Sequence, residues 1–191
     1  PRPRNDPKFY GGDVPFVQTS DVTKSNGVIS SYTQTLNNEG LKVSKFFPEG
    51  TILITIAANI GFCGVLKKGM ACPDSLVGLT VNSKNNTDFI CSNLNRLQPK
   101  VDYLAPQAAQ KNINVEFLKP FQIIIPETEE QQKIAEFLSS VDKKISLLKE
   151  KYSLLKSYKK GVIQKLIKQE IRFKDENGNP YPDWRNVKLS E

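Results

Sequence analysis

The chain has 191 residues, 38% of them hydrophobic, with 27 Lys+Arg against 20 Asp+Glu for a net charge of +7, and no histidine. That apolar content supports a packed core rather than wholesale disorder. The absence of histidine removes His–Cys zinc sites, Ser–His–Asp triads and Cys–His dyads from its chemistry. The basic excess suits a polyanion-binding surface, although a plain soluble protein can also be basic. It is spread along the chain: 13 basic against 9 acidic residues in 1–126, 10 against 6 in 127–169, and 4 against 5 in 170–191. Cys63, Cys72 and Cys91 form no CxxC pair, so they read as reduced core thiols of a cytoplasmic protein. The most apolar stretch, 52–66, is too short to span a bilayer and is broken by Asn59, Gly61 and Gly64.

In chain order, "DVPFVQ" (13–18) reads as a short strand with Pro15 at its edge. "GTILITIA" (50–57) is a β-branched run typical of a buried strand. "GFCGVLKKGMAC" (61–72) continues as strand, basic turn and strand, and "LVGLTVN" (76–82) alternates before a polar loop at 83–87. Residues 88–110 have helical spacing at Phe89, Leu94 and Leu97, with interruptions expected at Pro99 and Pro106. "FQIIIP" (121–126) reads as a further buried strand. Residues 1–126 are therefore expected to form an α/β or α+β domain with a curved, mainly antiparallel sheet.

Pro126 closes that domain, and the composition changes at once. Thr128 and Gln131 have the spacing of a capping box. Glu129 and Glu130 suit the positive end of a helix dipole, and Lys165 and Lys168 the negative end. The turn residues of "DENGNPYP" (175–182) stop any helix. Between these marks, 127–169 predicts one long coiled-coil helix. Its seam is Ile134, Leu138, Val141, Ile145, Leu148, Tyr152, Leu155, Lys159, Val162 and Leu166, in steps of four and three, with nine of the ten apolar or aromatic. A 3.5-residue period held this long belongs to a coiled coil. Forty residues at 1.5 Å each span about 60 Å, longer than a domain of this size can shelter. Leu147, Leu154 and Tyr158 add a second stripe, while Lys159 and Gly161 weaken the seam locally. Periodicity alone supports a partner helix and would equally fit a dimerisation stalk.

The order of these segments is more specific than any one of them. "FYGGDVPFVQTSDV", "GTILITIAANIG", "APQAAQKNINVEFLKPFQIIIP", the helix "EEQQKIAEFLSSVDKKISLLKEKYSLLKSYKKGVIQKLI" and "IRFKDENGNPYPDWRNVKLSE" together resemble the specificity subunit of type I restriction–modification systems. The resemblance covers essentially the whole chain. It departs from the family's usual pattern at Phe16, at Gly50–Thr51 and at Cys72–Ser75, positions that bear on which bases are read. It implies a target recognition domain over 1–126, a helical spacer over 127–169, and a tail, 170–191, like the start of a second recognition domain. A half-length subunit that pairs with a second copy and an excerpt of a longer chain both fit.

Such a subunit is implied to be non-catalytic. It reads one half of a bipartite double-stranded DNA target and positions methyltransferase (modification) subunits, with a restriction subunit joined indirectly. No cofactor is implied for this chain; the modification subunit would use S-adenosylmethionine, and the restriction subunit ATP and Mg. The chain carries no Asn/Asp-Pro-Pro-Tyr/Phe methylation motif and no Walker loop. A structural coiled-coil scaffold without nucleic-acid binding is the rival expectation.

Candidate DNA contacts follow from donor chemistry. Arg2, Arg4 and Lys8 suit phosphates. Gln18, Thr19, Ser20 and Asp21 follow the first strand and suit base edges, although Asp21 equally suits a turn or a helix cap. Lys67 and Lys68 form a basic turn that is either a phosphate contact or simply solvated. Asp74 and Ser75 stand at the family's variable polar position. Gln107, Gln110, Lys111 and Asn112 form the closing polar segment, where Asn112 alternatively satisfies local backbone. Lys84–Asn86 reads as a plain loop. Tyr181 and Trp184 suit either an anchored or a disordered tail. No metal site is expected.

Overall fold

The computed structural model describes residues 6–106 and 111–189. The β-branched and alternating segments form eight short strands: β1 (Tyr10–Phe16), β2 (Val28–Ile29), β3 (Gln34–Leu36), β4 (Lys45–Phe47), β5 (Ile52–Thr55), β6 (Cys63–Leu66), β7 (Met70–Cys72) and β8 (Leu76–Leu79). The helices are α1 (Thr19–Lys24), α2 (Asn38–Lys42), α3 (Thr87–Leu104), α4 (Val115–Leu118) and α5 (Thr128–Ile167). The strands form two four-stranded sheets, ordered β3-β1-β7-β4 and β2-β6-β5-β8. Pairing is mainly antiparallel, as expected; β1 with β7 and β2 with β6 are the parallel pairs. The chain divides into two compact units, Pro1–Leu138 and Ser139–Glu191, and the division falls inside α5.

In the first unit β5 is buried at all four residues, as its sequence demands. Leu53 of β5 faces Gly64 on one side and Gly78 on the other. A Cβ at Gly64 would come within 2.7 Å of Ile29, and one at Gly78 would strike the Phe47 ring, so only glycine lets the layers close at these points. One core cluster joins Val17, Val22, Ile29, Leu53, Leu66, Met70, Cys72 and Leu76. A second packs Phe89, Ile90 and Cys91 of α3 against Ile52, Ile54, Cys63 and Val65. The Asn95 amide clips α3 to β6, accepting from the Cys63 N–H at 2.9 Å and donating to the Cys63 carbonyl at 3.0 Å. All three cysteines are buried free thiols. Burial pushes Cys72 and Cys91 up to about 12 and Cys63 higher still, so these thiols stay protonated near neutral pH.

Three local expectations are corrected. Helix α3 runs through Pro99 and stops only before Pro106, where Ala105 is extended (φ −61°, ψ 143°). Pro99 lies on the exposed face, where the carbonyl it deprives of a partner can be hydrated. Among the described residues, 121–126 pair with no strand; Ile124 is 84% exposed. The segment is instead held by the Asn93 amide donating to the Ile124 carbonyl at 2.9 Å, with Phe121 and Ile123 turned into the core. The capping box does not form either. The Thr128 hydroxyl donates to the Lys84 carbonyl at 2.7 Å. Gln131, 1% exposed, accepts from the Asn86 N–H at 2.9 Å and donates to Asn85 Oδ1 at 3.0 Å and to the Pro126 carbonyl at 2.8 Å. The loop 84–86 is thus the socket for the first turn of α5, and Ala135 and Ile134 follow into the core.

The second unit contains the rest of α5 and a short turn structure. Gln169 takes a positive φ of 60°, which lets the Glu170 N–H reach the Lys165 carbonyl at 2.9 Å and ends the helix. Arg172 donates to Asp183 at 2.9 Å and to the Tyr181 carbonyl at 2.8 Å. Asp175 accepts from the N–H groups of Asn177 and Asn179 at 3.0 and 2.7 Å, and these bonds hold its carboxyl below the ordinary 3.8. Tyr181 and Trp184 stay more than half exposed. Among the described residues no helix is long and apolar enough to cross a membrane.

Candidate nucleic-acid interface

At the end of β1 the Val17 N–H donates to the Ala71 carbonyl at 2.9 Å, which turns the chain from the sheet into α1. Gln18 is the residue before α1, and its N–H donates to the Asp21 carboxylate at 2.9 Å. The Thr33 hydroxyl donates to the same carboxylate oxygen at 3.2 Å. Asp21 is therefore a cap that also ties the start of α1 to the residue before β3. The Gln18 amide donates to Gln34 Oε1 at 2.6 Å, and the Thr19 and Ser75 hydroxyls are 3.2 Å apart.

Gln18, Gln34, Thr19 and Ser75 line an open cleft of about 930 Å³. It gathers Gln18, Thr19, Ser20, Asp74 and Ser75, which the sequence had singled out from two segments more than fifty residues apart. It also brings in Gln34, Lys42, Lys45 and Asn59, which sequence reasoning missed. Lys45 sits on β4, antiparallel to Cys72 of β7, and has no ion pair among the described residues. Lys42 is within 3.1 Å of Glu39. A faint signal for Lys42 and Lys45 was present: Asn37 caps α2 through the Gly40 N–H at 3.0 Å, and this Asn-x-x-Gly start places both lysines just downstream.

The other candidates lie elsewhere. Lys8 pairs with Asp6 at 3.1 Å, Lys67 reaches Asp88 at 3.5 Å, and Lys68 rests over the Tyr32 ring at 4.3 Å. Lys111 pairs with Asp102 at 3.1 Å, and its carbonyl accepts from the Ala58 N–H at 3.2 Å. Asn112 bridges to Ala57, so both residues buttress the segment that carries Asn59 into the cleft. Arg2, Arg4, Gln107 and Gln110 lie outside the described residues. Among the described residues no group of three His, Cys, Asp or Glu side chains is arranged to hold a metal ion.

Along α5 the predicted seam divides. Ile134 packs against the domain's own core rather than standing free. From Leu138 to Leu155 the seam is exposed: Val141 40%, Leu148 54%, Tyr152 69%. Val162 and Leu166 are half-buried. Leu147, Leu154 and Tyr158 widen the exposed apolar surface.

An α+β domain with an open cleft lined by amides, hydroxyls and lysines, in a chain with a forty-residue helix bearing an uncovered apolar seam, has the build of a binding module. The model of the type I restriction modification DNA specificity domain matches residues 2–157, and the chain belongs to that family. It is 28% identical over 165 residues to the putative type I restriction enzyme MjaX specificity subunit of Methanocaldococcus jannaschii, covering 86% of this chain and 37% of that one. It is 25% identical over 154 residues to the MjaIX specificity subunit of the same organism, covering 78% and 35%. Among solved structures it is similar to the HsdS subunit from Thermoanaerobacter tengcongensis, with TM-score 0.57, 20% identity, and 82% and 38% of the two chains covered. It is also similar to the S subunit from M. genitalium, with TM-score 0.59, 18% identity and coverage of 84% and 40%. A chain from a study of assembly and conformational transition of the type I R-M system gives 0.60, 21%, 82% and 39%. The structural matches establish the shared fold. The chain spans little more than a third of the length of either curated relative.

Proposed function

We propose that this chain is a non-catalytic DNA-reading unit of a type I restriction–modification complex. Its cleft reads one half of a bipartite duplex target. Its α5 seam pairs with a second such helix, from another copy or from another part of a longer chain. That pairing holds two recognition domains a set distance apart and offers a surface to the modification subunits, because half-site spacing follows protein geometry. The methyl donor and the nucleotide chemistry would belong to the partner subunits. One observation carries this reading: in a domain of the DNA specificity family, Gln18, Thr19, Ser20, Gln34, Asn59, Asp74 and Ser75 converge with two lysines on one cleft.

The test is a mobility shift on duplex DNA at low salt, with and without methyltransferase subunits. Binding is expected to weaken steeply as salt rises, since phosphate contacts release counterions. No binding even with the methyltransferase present would overturn the reading and leave a scaffold role in its place.

A further inference from the structure

Two glutamines in the cleft hold each other. Gln18 enters from the start of α1 and Gln34 from the start of β3, and their amides are joined at 2.6 Å. A hydrogen bond between two primary amides always leaves the donor its carbonyl oxygen and the acceptor its NH₂ group, whichever of the two donates. The joined pair therefore presents both an acceptor and a donor. The major-groove edge of adenine offers the complement, an N7 acceptor beside an N6–H donor.

The pair is also held in advance. The Asp21 carboxylate takes the Gln18 N–H at 2.9 Å and the Thr33 hydroxyl at 3.2 Å, so one side chain fixes the backbone at Gln18 and beside Gln34. Glutamine has much rotamer freedom to lose on binding, and a pair already ordered loses less. Among the described residues no other amide pair lines this cleft: the Asn59 amide comes from a separate segment.

We propose that Gln18 and Gln34 act as one unit that reads an adenine in the target, with Asp21 as its positioning residue. This rests on the cleft being the DNA-reading face. The experiment is selection of duplexes from a randomised library by the chain with its methyltransferase subunits, followed by sequencing of the bound fraction. Gln18→Leu and Gln34→Leu are each expected to lower the preference for adenine at the same single position by roughly 5- to 150-fold. Preferences at the other positions should stay. Gln34→Glu, close to isosteric and on an exposed residue, removes the NH₂ donors and is expected to move that position toward cytosine, whose N4 donates. Asp21→Asn is expected to weaken the adenine preference without creating a new one, which a merely structural role would not do.

A wild-type motif that all four variants leave unchanged would overturn the pair while sparing the DNA-reading function. So would a loss at a position other than adenine. A wild-type protein that selects no motif would overturn the DNA reading itself, and the inference with it.

Discussion

Gln131 makes the most exacting test of how the first domain grips its long helix. Its amide is buried and makes three hydrogen bonds, to the Asn86 N–H, Asn85 Oδ1 and the Pro126 carbonyl, at 2.8 to 3.0 Å. Each such bond contributes about 1 kcal/mol net, and a buried group left without a partner costs about 1–3 kcal/mol. In Gln131→Ala the Asn85 side chain can turn to water, whereas the Asn86 N–H and the Pro126 carbonyl are half-buried. The expected loss is therefore roughly 2–4 kcal/mol. Urea unfolding followed by circular dichroism reads it as a lower midpoint at unchanged slope, and amide exchange at Asn86 should speed up. Gln131→Glu sharpens the test. It keeps the acceptor for the Asn86 N–H but turns an oxygen toward two other acceptors, so burial and those acceptors raise the pKa of the introduced carboxyl. A folded pKa above the unfolded one places the contribution at low pH and removes it as pH rises through the folded value. The variant should recover stability on acidification below about pH 5, where the protonated carboxyl regains one donor. A loss under about 1 kcal/mol for Gln131→Ala would refute the assignment of this socket as the anchor of α5, and so would a pH-indifferent Gln131→Glu.

Three further outcomes follow from other parts of the structure. Lys45→Ala should weaken DNA binding about equally across sequences and reduce the salt slope by about 1, measured by titration at several salt concentrations. Leu148→Asp with Leu155→Asp should abolish pairing through α5 in sedimentation while leaving the first domain folded, since each leucine left unburied forfeits about 1.5–3 kcal/mol. Asp175 has a folded pKa below 3.8, so its contribution is present above that value and is lost as pH falls through the folded pKa. The amide resonances of Asn177 and Asn179 should report this with a midpoint under 3.8.

Much of this protein is local enough to be written in its sequence. The four-three spacing from Leu138 to Leu155 predicts a helix with an apolar seam, because a 3.5-residue period has no other economical geometry. The β-branched run at 50–57 predicts a buried strand, and its middle, Ile52–Thr55, forms β5 with all four residues buried. Other features depended on partners distant in the chain. Pro99 has the local character of a helix breaker, yet its exposed position lets α3 continue. The apolar run 121–126 has the composition of a strand, but among the described residues it pairs with none, and the Asn93 amide holds it instead. Thr128 and Gln131 have capping spacing, but a loop forty-odd residues earlier competes for both side chains and wins. The cleft shows the same division. Donor chemistry alone marks Gln18 and Ser75 as candidates, whereas only the pairing of β3, β1, β7 and β4 in one sheet brings Gln34 and Lys45 beside them. Sequence determines periodicity and chemical type, which are properties of neighbours along the chain. Which polar groups meet, and so what they can read, is decided by contacts between residues that only the packed sheets bring within hydrogen-bond reach.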